Sequence, residues 1–291
     1  MSRATVSLVI AVFFGLLSVQ ASAAKTHRYN LDETYPIAAD GTLYLSTDDA
    51  EVSIIGEDRD DVHVVVHHTW HISGVSSSGG EDFEIIVTEE NGNLRIREAD
   101  TGGITIMMGS IREEYTIDIH APKTIDLRLR GEDDDYRVRN FSGDVRMDME
   151  DGDALLLEMT GSHFELGVED GRIDLNGGAG ILDLFAEDGS ITVENGKFKD
   201  VHGTVEDGEI VVETSLSDDG SYRMKADDGS VELRVLDGGG TFRLEYEDGG
   251  TRVGRDFELI DENDYYEEYE LPGGEANVRM SVEDGRIILR N

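Results

Sequence analysis

The residues best placed to do chemistry are paired carboxylates that recur in front of a glycine. They read Glu150-Asp151-Gly152, Glu169-Asp170-Gly171, Glu187-Asp188-Gly189, Glu206-Asp207-Gly208, Asp227-Asp228-Gly229 and Glu247-Asp248-Gly249, with a last copy at Glu283-Asp284-Gly285. Related steps lie upstream at Glu132-Asp133-Asp134 and Asp48-Asp49-Ala50. Hard oxygen ligands in such number suit Ca2+. Carboxylate pairs also do general acid/base work in polysaccharide cleavage. Repetition argues against the second use, because a catalytic cluster is unique along its chain and these carboxylates return at every interval.

The interval is regular. Successive glycines are 19, 18, 19, 21 and 20 residues apart, then 36, which reads as two intervals of 18. Counted from each glycine, apolar residues recur at −7, −5, −3, +2 and +4, as in Phe164, Leu166, Val168, Ile173 and Leu175 around Gly171. Polar residues such as Glu165 and Asp174 fill the positions between. That is period-two alternation, the mark of strands with one buried face. The Asp-Gly step supplies a tight corner, since glycine accepts positive φ and Asp can bond nearby N–H groups. Looser corners fall between repeats at Ser142-Gly143, Thr160-Gly161, Gly177-Gly178 and His202-Gly203.

Two folds satisfy this pattern: an antiparallel meander of Asp-Gly hairpins, and a β-solenoid in which each repeat is one rung. Equal repeat lengths favour the solenoid, because a coil of constant circumference requires them. The expected fold is all-β: a β-helix-like solenoid with rungs of about 19 residues and a less regular N-terminal β region. Strand candidates in that region are Thr42–Ile54, Val62–Ile72, Phe83–Thr88, Leu94–Glu98 and Tyr115–Ile119, with a hairpin turn at Asn91-Gly92 and a flexible loop over Gly74–Gly80.

Composition bounds function. The 291 residues include 64 Asp and Glu against 25 Lys and Arg, a net charge of −39, and no Cys. So acidic a chain lacks the clustered cations that displace counterions from nucleic acid, and anionic membranes should repel it. Without Cys there is no disulfide, thiolate metal site or thiol nucleophile. Residues 1–23 read as an export signal: Arg3, the apolar run Val6–Val19, then the small-residue site Ala21-Ser22-Ala23. An uncleaved N-terminal anchor is the alternative, but the run is short for a span. Cleavage leaves 268 residues with 24 cations against 64 anions, a net charge of −40 and no transmembrane segment. The expected division is signal peptide 1–23, N-terminal β region 24–125, solenoid 126–254, an acidic Tyr-bearing insertion loop 255–276, and a final rung 277–291.

Stacked rungs would align the carboxylates into two ladders: Glu150, Glu169, Glu187, Glu206, Asp227 and Glu247, beside Asp151, Asp170, Asp188, Asp207, Asp228 and Asp248. Neighbours about 4.8 Å apart repel by roughly 0.9 kcal/mol in water. Bound calcium could offset this. The plainer readings are Asp capping its own turn with Glu splayed into solvent, or adaptation to high salt. No EF-hand or nonapeptide Ca2+ signature is present. Tyr265, Tyr266 and Tyr269 are candidate partner contacts, the alternative being rings packed on the solenoid edge. His63, His67 and His71 share one face of a strand, too widely spaced for one metal ion unless a neighbouring strand contributes, with His68 and Trp70 on the other face. A solvated strand face is the default for them.

One longer pattern adds to this. Ile119–Ile210 runs His120-Ala121-Pro122-Lys123, an alternating strand, Asn140-Phe141-Ser142-Gly143-Asp144-Val145, then repeated Asp-Gly-x-Ile steps. With Asp40–Gly56 it resembles the bacterial putative adhesin family, domain of unknown function 4097, and the related auto-transporter adhesin head domains. The resemblance implies an extracytoplasmic β-solenoid of the cell envelope and brings no catalytic residues. The corners of such proteins are often Ser/Asn-Gly, whereas this chain has acidic ones. The expected role is a non-enzymatic structural or adhesin-like module, periplasmic or extracellular, with an envelope protein or glycan as partner. The alternatives are a Ca2+-binding solenoid and, third, a β-helix polysaccharide lyase or hydrolase.

Overall fold

The computed structural model describes residues 25–76, 83–99 and 106–291. The export signal expected over 1–23, and the part of the expected loop at 77–80, lie outside the described residues. Among those described there is no helix, as the dense glycine and the two-residue period require.

β1 (Lys25–Pro36) precedes a first coil made of β2 (Thr42–Thr47) and β3 (Glu51–Glu57). Then come a long strand β4 (Asp61–Ser76), the hairpin strands β5 (Ile85–Glu90) and β6 (Asn93–Glu98), and a second long strand β7 (Ile106–Pro122). Regular coils follow: β8 (Asp126–Asp133) with β9 (Asp135–Arg139), β10 (Val145–Asp151) with β11 (Asp153–Met159), and β12 (His163–Val168) with β13 (Arg172–Gly177). β14 (Ala179–Ala186) leads into β15 (Ser190–Val205), which turns at Asn195 and serves two coils before β16 (Glu209–Thr214). The chain ends with β17 (Ser221–Ala226), β18 (Ser230–Val235), β19 (Gly240–Tyr246), β20 (Gly250–Val253), β21 (Glu258–Glu262), β22 (Tyr266–Leu271), β23 (Ala276–Val282) and β24 (Arg286–Arg290).

Strands joined by an Asp-Gly corner fall in different sheets. β10 pairs in parallel with β8 and β12, and β11 with β9 and β13. This parallel, one-coil-apart pairing replaces the antiparallel meander and makes the fold solenoid-like. One sheet runs β5-β6-β2-β8-β10-β12-β14-β15-β17-β23-β19-β22-β21. The other runs β1-β4-β7-β3-β9-β11-β13-β15-β16-β18-β24-β20.

The core lies between the sheets. Registered rows such as Leu43, Leu127, Val145, Phe164 and Leu182 are at most 1% exposed and face rows such as Ile54, Val138, Leu156 and Leu175. Full burial of one such side chain stabilises the fold by about 1.5–3 kcal/mol. At Gly152 (φ 92°) the coils approach so closely that an added Cβ would collide with the Asp134 carbonyl oxygen. The Asn91-Gly92 turn has both residues at positive φ (52° and 82°), which suits the tight β5–β6 hairpin.

Three expectations are corrected. β4 continues through Ser76, paired with β7, so Gly74–Ser76 are strand and not loop. The 36-residue spacing before Gly285 contains no second coil; its insertion is the antiparallel pair β21–β22, added to the edge beyond β19. The insertion at 255–276 is thus largely a hairpin rather than a loop. The last coil in sequence is not last in space, because β23 and β24 sit between β17–β18 and β19–β20. The N-terminal end is built alike: β2 lies between β6 and β8, and β3 between β7 and β9.

Candidate functional site

The acidic corners form a continuous line along one edge of the coils. Their backbone explains the alignment. The N–H of Asp170 donates to the Glu150 carbonyl at 2.9 Å, that of Asp188 to Glu169 at 2.9 Å, and that of Asp207 to Glu187 at 2.9 Å. The corner N–H groups are therefore satisfied one coil away, and the Asp side chains are not needed as local caps. At the C-terminal end Asp284 N–H donates to Asp227 and Asp248 N–H to Glu283, both at 3.0 Å. Glu283 and Asp284 thus stand between the Asp227-Asp228 and Glu247-Asp248 corners, which sequence order makes adjacent.

Among the described residues, cations pair with the line at two places, inside its ends. Arg130 lies 3.5 Å from Glu150, and Lys225 contacts Asp227 at 2.5 Å and Glu283 at 3.4 Å. Between them Glu169, Asp170, Glu187, Asp188, Glu206 and Asp207 are exposed. Repulsion from Glu206, with Glu169 and Asp188, raises the Glu187 carboxyl above its ordinary range. Partial desolvation, with Asp133 and Asp170 adding repulsion, does the same to Asp151. Asp170, Asp188 and Asp207 border an open trough of about 660 Å³ beside Arg172 and Ser190.

At the N-terminal end the line becomes denser. One carboxylate oxygen from each of Asp48, Asp49 and Asp133 lies within 4.8 Å of the others. Burial raises Asp48 and Asp49; repulsion from Asp133 adds to both, and repulsion from Asp49 adds to Asp48. Behind them sit two more carboxylates, Asp134, which the repeat marks, and Glu98, which sequence reasoning missed. Asp134 occupies the place of the corner glycine and is fully buried, its Oδ1 accepting from Ala50 N–H at 2.7 Å and its Oδ2 from Glu132 N–H at 3.1 Å. Burial pushes it up to about 6. Glu98 accepts from Asp48 N–H at 2.9 Å, and burial pushes it up to about 7. The Asp134 break in the Asp-Gly pattern was the available signal; nothing local marks Glu98.

The three tyrosines separate. Tyr265 is 71% exposed at the turn of the β21–β22 hairpin. Tyr266 lies under the Arg243 guanidinium at 3.9 Å and donates to Asp261 at 2.6 Å. Tyr269 packs against the core and donates to Glu267 at 3.0 Å, and burial first, then this carboxylate, pushes it up to about 12. Only Tyr265 presents most of its ring to solvent.

The histidine strand is β4. On its outer face His63 Nε2 lies 2.8 Å from Asp32, His67 Nδ1 2.8 Å from Asn30, and His71 Nδ1 2.8 Å from Thr26, each partner coming from β1. On the inner face Trp70 is stacked between His27 and His68, with ring centroids 4.7 and 4.6 Å away, and His68 contacts Glu113. His68 and Trp70 are thus core residues of the N-terminal end.

None of the curated proteins matches the chain in sequence. Among solved structures, a "putative cell adhesion protein" from Clostridium sporogenes is 11% identical, with 91% of this chain and 99% of that one covered and a TM-score of 0.30. A "putative adhesin" from Parabacteroides merdae is 9% identical over 91% and 95% of the two chains, with a TM-score of 0.45. A "putative lipid binding protein" from Parabacteroides distasonis is 11% identical over 89% and 96%, with a TM-score of 0.35. The model of the Toastrack DUF4097 family matches residues 42–290, from the first strand of the first coil to the last strand of the final one, so the chain belongs to that family.

Proposed function

We propose that the protein is a non-enzymatic, adhesin-like interaction module of the bacterial cell envelope, exported to the periplasm or the cell exterior, built on coils of about 19 residues. One observation carries this reading: the chemically capable side chains stand in open rows along a rigid stack of coils, repeated from coil to coil. Rows present multivalent contacts, whereas catalysis needs groups converging on one reacting bond. The test is co-sedimentation of the labelled, exported chain with isolated envelopes of the source bacterium, with release of reducing ends followed in parallel. Saturable sedimentation without cleavage is expected. Absence of sedimentation, or cleavage that tracks the protein, overturns the reading.

A second reading is calcium bridging of the acidic corners, favoured by the close approach of the Asp48, Asp49 and Asp133 carboxylates. It predicts heat on calorimetric titration with CaCl2, and a higher melting temperature than NaCl gives at matched ionic strength. Equal behaviour in the two salts points to screening alone and sinks this reading.

A further inference from the structure

One face of this acidic protein carries the opposite charge. The adjacent strands β6, β2, β8 and β10 bring Arg95, Arg97, Arg128, Arg130 and Arg146 to the outer surface of one sheet, around a shallow trough of about 410 Å³. In each strand the arginines alternate with buried Leu94, Ile96, Leu127, Leu129 and Val145, so the two-residue period turns every guanidinium outward. Five of the chain's 25 Lys and Arg residues gather here.

The register sets their order. Tyr44 stands between Arg95 and Arg128, and Arg128 pairs with Arg146. Ser46 stands between Arg97 and Arg130 in the next row. The Arg95 guanidinium lies 4.3 Å over the Tyr44 ring. Carboxylates reach only one side of the face: Asp148 and Glu165 hold Arg146 at 3.0 and 2.7 Å, and Glu150 lies 3.5 Å from Arg130. Arg97 and Arg128 instead donate to the backbone carbonyls of Glu98 and Leu127, each at 3.0 Å. Among the described residues, Arg95, Arg97 and Arg128 form no ion pair.

In a chain with 64 carboxylates, three nearby guanidinium groups stand without an ion-pair partner among the described residues. Adjacent like charges repel, and an external anion relieves that repulsion. The planar guanidinium fork matches carboxylate, sulfate and phosphate oxygens. The face is flat and open; with Tyr44 and Ser46 between them, Arg95 and Arg128, and Arg97 and Arg130, stand two strands, about 9.6 Å, apart, and successive rows lie about 7 Å apart along the strands. That spacing suits an extended polymer with regularly placed anions better than an enclosed small ligand. The exposed large apolar residues among those described, Leu157, Ile181, Phe185, Leu236, Leu259, Ile260 and Tyr265, belong to other strands and turns, so no apolar anchor for a lipid surface sits here. Screening over about 8 Å at physiological salt keeps the more distant carboxylates from dominating contact at the patch.

We propose that this arginine face binds an acidic polysaccharide, with its carboxylate or sulfate groups seated across Arg95, Arg97, Arg128 and Arg130. The proposal rests on the interaction-module reading and names its ligand class. The test is isothermal titration of the exported chain with polygalacturonate, dextran sulfate and uncharged dextran at about 50 and about 200 mM NaCl. Both charged polymers are expected to bind, more weakly at the higher salt, and dextran not to bind. Arg95→Gln/Arg128→Gln should weaken binding about tenfold or more with an unchanged melting temperature. Should that pair unfold, Arg97→Gln, at an exposed position, carries the same expectation to a smaller degree. No binding of the charged polymers, or equal binding by folded variants, overturns the proposal. So does arginine-dependent binding to phosphatidylglycerol vesicles without polymer binding. Envelope sedimentation that survives Arg95→Gln/Arg128→Gln leaves the interaction module standing while removing the arginine face as its contact.

Discussion

The acidic corner and the arginine face are both ordered rows of like charge, of opposite sign and unequal density. Corner carboxylates return on every coil at the strand spacing, where neighbours repel by roughly 0.9 kcal/mol in water and ~3.5 kcal/mol at an effective dielectric of 20. In the arginine face Tyr44 separates Arg95 from Arg128, and Ser46 separates Arg97 from Arg130, by two strand spacings. The corner is copied by the repeat, so it extends over all the regular coils. The arginine face comes from unrelated stretches, Arg95-Ile96-Arg97 and Arg128-Leu129-Arg130, that meet because β2 sits between β6 and β8. A solenoid turns one sequence position into one spatial line. The repeat writes some of those lines, and the order of coils at the ends writes the others.

That comparison can be broken at its backbone first. Gly152→Ala places a Cβ against the Asp134 carbonyl at φ 92°, and should cost about 3 kcal/mol in urea unfolding. Gly250→Ala meets nothing within 4 Å and should stay within about 0.5 kcal/mol of the parent. Equal losses would show that the corners tolerate a side chain and that close coil contact does not set the line.

The next effect is on pH. Asp134 and Glu98, at the N-terminal end of the corner line, have carboxyls pushed up to about 6 and about 7 by burial. Their folded values lie above the unfolded ones, so their contribution is fully present below about 4 and is lost as pH rises through 6 to 7. The melting temperature should therefore rise as pH falls from about 8 to about 5, and Glu98→Gln should flatten the upper part of that slope. A melting temperature that falls over the same range contradicts the assignment.

The smallest effect concerns the exposed charges. Glu187→Gln removes one carboxylate from the unneutralised middle of the line. It should raise the melting temperature slightly at low salt and have no effect near 1 M NaCl, because exposed charges are screened. An increase that persists at high salt would place the benefit in packing and not in charge.

Much of the fold was legible locally. The alternation around Gly171, the corner at each Asp-Gly step and the turn at Asn91-Gly92 are each written in residues a few positions apart, although the corner N–H groups bond one coil away. The functional surfaces were less so. The acidic corners were visible because the repeat displays them. The Arg95 and Arg128 pairs were visible only as ordinary outward positions of two separate strands. Glu98 looked like a strand end and proved to be the acceptor for Asp48 N–H, a contact across 50 residues. Tyr265, Tyr266 and Tyr269 looked alike, and the hairpin gave each a different environment.

The sequence by itself determined where the strands run, which residues face the core and where the chain turns, because these follow from side-chain alternation and from the glycine at each Asp-Gly corner, which leaves room for the next coil; among those corner glycines only Gly152 adopts positive φ. The tertiary structure decided that strands flanking a corner pair with the neighbouring coils instead of each other, since a two-residue period is the same for both arrangements. It also decided that β2–β3 and β23–β24 lie one coil in from the ends. Those choices rest on hydrogen-bond register and packing between residues far apart in the chain, and they set which charges become neighbours.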